Sequence, residues 1–146
     1  MYRNLVLILC LVLAASFRSA NAEPIAVVTS ASSPLNHLSR DTLKLIYLRK
    51  IQLDEQGKRW IPTNLPLASP LRNDFSLSLF SILPEEQEDY WNAQYFHGIT
   101  PPPVMSSEEA VLRFVSSTPS SIGYVRKTLV DARVKVLLLL SPGTKP

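Results

Sequence analysis

Cysteine, glycine and histidine are scarce in this chain, and each scarcity removes a class of function. The one cysteine, Cys10, lies in the N-terminal apolar run. Beyond it there is no disulfide, no thiolate nucleophile and no cysteine-based metal site. Four glycines among 146 residues spell neither a P-loop nor a dinucleotide fingerprint. No G-x-S-x-G elbow occurs and no Ser-His-acid set can be named, so the chain reads as a non-enzyme without catalytic residues or cofactor. His37 and His97 lie far apart, and neither has a His, Asp or Glu at metal-ligand spacing. Both read as loop or surface residues, and no metal is expected. No Lys/Arg stripe stands out, which discards nucleic-acid binding.

What is present first is an export signal. Arg3 precedes an unbroken apolar run from Leu5 to Ala15, and Ala20-Asn21-Ala22 stands before Glu23. A basic start, a short apolar middle and a small-x-small exit are the parts of a secretory signal peptide over residues 1–22, cut after Ala22. The 11-residue run is too short to span a bilayer, which weighs against a retained anchor. Cys10 sits inside the run rather than closing it, unlike a lipid-attachment cysteine. The mature chain is therefore expected to be periplasmic or secreted, and not membrane-embedded after cleavage. Removing Arg3 and Arg18 leaves 13 basic residues against 12 acidic, so the sequence pI of 9.2 exaggerates the basicity of the working protein.

Residues 23–146 read as one α/β domain, a mixed sheet flanked by helices. Ile25–Thr29 is a β-branched run ended by a Ser/Pro loop, a buried strand. Ser39 precedes Leu43, Ile46 and Tyr47 at helical spacing. Ile51–Leu53 and Trp60–Leu65 flank the polar turn Asp54–Gly57 and predict a hairpin, with Pro62 keeping its strand at an edge. Ser69-Pro70 predicts an N-cap with proline at the first helical position, and the helix runs through Leu71, Phe75, Leu79 and Phe80. A helix from Pro84-Glu85-Glu86 has an acidic first turn suited to the helix dipole. Its Tyr90, Trp91, Tyr95 and Phe96 are expected to pack into the core rather than form a ligand cage. Ser106 with Glu109 fits a capping box ahead of Ala110, Val111, Phe114 and Val115. Ser121–Val125 and Val134–Leu140 close the chain as core strands, the Leu137–Leu140 tract being far too short for a membrane span.

Three stretches carry a family resemblance. Ser39–Lys50 followed by Trp60 is similar to an L-S-x-x-x-L-x-x-I-F-x-G-K … W helix and turn. Leu65–Phe75 resembles a segment in which Ser-Gly-Thr-Arg opens a helix, and Ser120–Val125 looks like a P-G-A-I-G-Y-V strand. Tyr90-Trp91, Phe96-His97-Gly98 and Pro101–Pro103 are similar to a compact branch of the same family. That family is the substrate-binding proteins of phosphate ABC transporters, with the type II periplasmic binding-protein fold. The resemblance implies one lobe of that fold, with inorganic phosphate or a similar oxyanion as ligand and an ABC permease or another envelope protein as partner. Two departures stand out. A full binding protein closes two lobes on its ligand, and this chain matches one. The Ser-Gly-Thr becomes Ser69-Pro70-Leu71, which removes the threonine hydroxyl and one backbone N–H. An upstream arginine is replaced by Asn64 and Leu65.

The candidate anion site is therefore Ser69, Leu71 and Arg72. The amide groups of Leu71 and Arg72 at a helix start are expected to point outward, with the Ser69 hydroxyl and the Arg72 guanidinium as further donors. The competing reading makes Ser69 a simple cap, contributing about 1 kcal/mol, and Arg72 a solvated surface residue. A symmetric homodimer would supply a cleft between copies.

Overall fold

The computed structural model describes residues 22–143. The signal-peptide expectation, apart from Ala22, lies outside the described residues. Within them, no helix is long and apolar enough to cross a membrane.

Strand β1 (Ile25–Ser30) is buried along its whole length, as its β-branched sequence requires. It runs antiparallel to two later strands, β3 (Ser121–Arg126) and β4 (Val134–Leu140), with Val27 opposite Tyr124 on one side and Leu138 on the other. A register shift between Val27 and Val28 bulges the β4 side. The short strand β2 (Ile61–Pro62) adds in parallel to β3 and completes the order β2-β3-β1-β4. Pro62 therefore stands on an edge strand, where a missing N–H is tolerated.

Neighbouring residues of β3 face opposite layers, as the pleat dictates. Gly123 faces α4 (Glu108–Ser117), where a Cβ would press on Val111 and stand 2.8 Å from Thr63 Oγ1. Tyr124 faces the other layer and stacks on Phe75 with ring centroids 3.8 Å apart. Phase-matched behind it, Tyr47 meets Phe75 at 4.9 Å. Those two rings come from α1 (Arg40–Tyr47) and α2 (Pro70–Phe80). The sheet is thus sandwiched between α4 and the α1/α2 pair, and the buried apolar residues form one continuous cluster.

Three expectations need correction. The hairpin reduces to one antiparallel bridge, Leu53 to Arg59, around a turn in which Asp54 Oδ1 accepts from the Gln56 and Lys58 amides. The cap of α4 is Ser107, which accepts from the Ala110 N–H at 3.1 Å, and not Ser106. The acidic helix begins as a 3₁₀ turn at Pro84–Gln87 and continues as α3 (Glu88–Tyr95), which buries none of its residues. Tyr90 and Trp91 are half-buried, while Tyr95 is 70% and Phe96 86% exposed, so this aromatic set is not core.

Candidate functional site

Proline at the first helical position starts α2, because its fixed φ suits the turn and its missing N–H would have had no helical acceptor. Ser69 stands before it in extended conformation, but its hydroxyl makes no capping bond. The first turn of α2 also contains no acidic residue. The other two Ser-capped helices differ. Ser39 accepts from the Thr42 N–H at 3.1 Å and Asp41 lies in the first turn of α1. At α4, Ser107 caps and two glutamates follow. The positive end of the α2 dipole is left without a compensating side chain.

The expected donors are not all available. The Arg72 N–H bends back to the Ser69 carbonyl at 3.1 Å and is spent there, which corrects the expectation that it points outward. The Leu71 N–H finds no acceptor among the described residues. The Arg72 guanidinium reaches upstream: Nη1 donates to the Leu65 carbonyl at 2.8 Å. It is half-buried rather than fully solvated, and its remaining N–H groups form no ion pair among the described residues.

That reach is set from beneath. The Leu65 N–H donates to Tyr124 Oη at 3.3 Å, and the Tyr124 hydroxyl donates to Asn64 Oδ1 at 2.6 Å. The Leu65 peptide is thus held at its N–H by Tyr124 and at its carbonyl by Arg72. Burial pushes the Tyr124 phenol well above its ordinary range, so it stays a neutral donor. Residue spacing gave no signal for this network, because Tyr124 stands 60 positions from Asn64. The recess between Asn64, Arg72, Phe75 and Ser76 holds only about 10 Å³, room for a single water at most. Any ion at this helix start would therefore sit on the open surface.

A larger cleft of about 830 Å³ lies at the opposite end of the sheet, where β1 finishes and β2 and β3 begin. It is lined by serines and Thr42, by Trp60 and Leu53, and by the polar turn that carries Asp54, Glu55 and Lys58. Its hydroxyls are already engaged. Ser30 Oγ bonds Ser32 Oγ and the Ser116 carbonyl, Ser39 bonds Thr42, Ser117 bonds the Arg113 carbonyl, and Ser120 donates to Asp54 Oδ2. A cleft whose hydroxyls are spent within the fold does not by itself define a ligand. His37 lines this cleft and His97 lies on a loop, both exposed.

The sheet order and the helices on both faces define one lobe of a type II periplasmic binding-protein fold. Solved structures similar to it include three proteins of phosphate transport. A phosphate ABC transporter substrate-binding protein from Clostridium perfringens, solved with bound phosphate, matches 79% of this chain at TM-score 0.65 and 18% identity. An ABC-type phosphate transport receptor from Vibrio cholerae matches 79% at 0.64 and 18%. PstS from Borrelia burgdorferi matches 79% at 0.60 and 19%. The match spans 44%, 45% and 46% of those chains respectively, less than half of each. No family model and no curated protein matches. The family resemblance read from the three sequence stretches thus reappears as a likeness of fold.

Proposed function

We propose that this chain is a non-catalytic, exported oxyanion-binding lobe that takes phosphate or a similar tetrahedral anion at the start of α2. One observation carries the reading: of the three helix starts preceded by serine among the described residues, this one keeps its hydroxyl, one amide and its dipole unspent. Ser69 Oγ and the Leu71 N–H supply two donors, and Arg72 supplies positive charge beside them. One lobe by itself cannot enclose the ion, so binding by this lobe alone is expected to be weak. The fold it shares with phosphate-transport proteins supports the ligand class and an ABC permease as the partner it would serve. Titration with inorganic phosphate followed by amide NMR tests it. The Leu71 and Ser69 amides should shift at millimolar phosphate, and the absence of any shift there ends the proposal.

A second reading keeps the scaffold and drops the ligand: an envelope protein-interaction or sensory module. Pro70 in place of a donor and the exposed Tyr95 and Phe96 favour it. A stoichiometric envelope partner retained equally with and without phosphate would support this reading. Phosphate affinity without any retained partner would reject it.

A further inference from the structure

The end of α1 is closed by a Schellman motif: the Arg49 N–H donates to the Ile46 carbonyl at 3.0 Å and the Lys50 N–H to the Leu45 carbonyl at 2.9 Å. The residue between cap and exit must turn left-handed, and glycine is the usual occupant because it does so without steric cost. Here it is Arg49, at φ 60. The turn is also pinned from α3, whose Tyr90 hydroxyl donates to the Leu48 carbonyl at 2.7 Å. A strained position held by its surroundings and given to arginine calls for a use of that side chain.

The side chain is placed but not satisfied. Arg49 Nη1 makes one long contact of 3.5 Å with the Trp60 carbonyl, and Nε is buried with no partner. One peptide away, Arg59 reaches only Gln52 Oε1, at 3.4 Å. Burial and the charge of Arg59 both hold the Arg49 guanidinium below its ordinary range, as expected of cations lacking a counter-charge. Neither guanidinium forms an ion pair among the described residues. The ion pairs among the described residues all lie between Glu108 and Arg133, and Asp54 is spent on its own turn and on Ser120. The negative end of the α1 dipole favours a cation here, but it does not account for a buried Nε without an acceptor or for a second guanidinium.

We propose that Arg49 and Arg59 form a second oxyanion site, built from residues other than those at the start of α2, that takes a phosphoryl or sulfate group across two guanidinium forks. The anion would be free in solution or carried on a phospholipid headgroup. The test observes the arginine Nε–H resonances of the residue 23–146 chain during titration with inorganic phosphate. In parallel, the protein is mixed with phosphatidylglycerol or phosphatidylcholine vesicles. Shifts of Arg49 and Arg59 with phosphate assign a free ion. Binding to phosphatidylglycerol alone, with phosphate silent, assigns the headgroup.

Arg49→Gly relieves the left-handed turn, so melting should rise by roughly 3 °C while affinity in the responding arm falls at least about tenfold. Arg59→Gln should lower affinity without the rise in melting temperature. Arg72→Gln should leave both arginine signals responsive, separating this site from the start of α2. Silence in both arms, unchanged affinity in Arg49→Gly, or loss of the response in Arg72→Gln would overturn the proposal.

Discussion

The starts of α4 and α2 are built from the same opening residue and finish in opposite states. At α4 the Ser107 hydroxyl takes the Ala110 N–H, and the two glutamates behind it are themselves paired. Glu108 accepts from the Arg126 amide at 2.7 Å and from its guanidinium, while Glu109 lies between Arg113 and Arg133. At α2 the serine bonds nothing through its side chain, no carboxylate lies in the first turn, and the nearby arginine is turned to a carbonyl. One helix start is closed by the protein's own groups and the other leaves donors for something else. A serine before a helix therefore does not identify its own role; what the next turn and the neighbouring strand supply decides it.

The largest expected effect lies on the closed side, where α4 rests directly on β3. Gly123→Ala puts a methyl against Val111 and within 2.8 Å of Thr63 Oγ1, so one element must move. A loss of about 1–3 kcal/mol is expected from overpacking, read by urea melts. A neutral result would show α4 to be loosely seated and would erase half of the contrast. Next in size, Ser107→Ala should cost about 1 kcal/mol by removing a formed cap bond, again read by urea melts.

The smallest effect is electrostatic. Hydrogen bonds from Arg133, then from Arg113, hold the Glu109 carboxyl at about 2, against an ordinary value of 4.5. Arg133 likewise lowers Asp131. A depressed carboxylate stabilises the fold fully above its unfolded value and ceases to do so as pH falls through its folded one. Melting temperature should therefore drop between pH 4.5 and about pH 2. The drop should be shallower in Arg133→Gln and in high salt, because the pairs are exposed. An identical pH slope in Arg133→Gln would remove the network from the account.

Much of the fold was legible because its signals are local. Ser39 before a 3.6-period stripe, Pro70 at the first helical position and the β-branched run at Ile25 each produced the expected element. The misreadings have different physical causes, a distant residue in one case and local helix geometry in the other. Only Ser106 has a glutamate at box spacing, but the box needed Glu109 to reach back, and Arg133, 24 positions away, holds that carboxylate. Tyr95 and Phe96 were expected inside. Adjacent residues on a helix project about 100° apart, so Tyr90, Trp91 and Tyr95 on this helix and Phe96 at its cap cannot all face one core. At the candidate site, Ser69 and Arg72 were legible from the Ser-Pro helix start. The clamp of Leu65 by Tyr124 was not, since it exists only once β2 and β3 align.

The most direct test measures phosphate affinity and urea stability together in Ser69→Ala and Ser107→Ala. An unspent donor at α2 predicts that Ser69→Ala weakens phosphate binding several-fold with stability unchanged, while Ser107→Ala lowers stability and leaves affinity intact. Ser69→Ala costing as much stability as Ser107→Ala, with phosphate binding unaffected, would make Ser69 an ordinary cap and contradict the account.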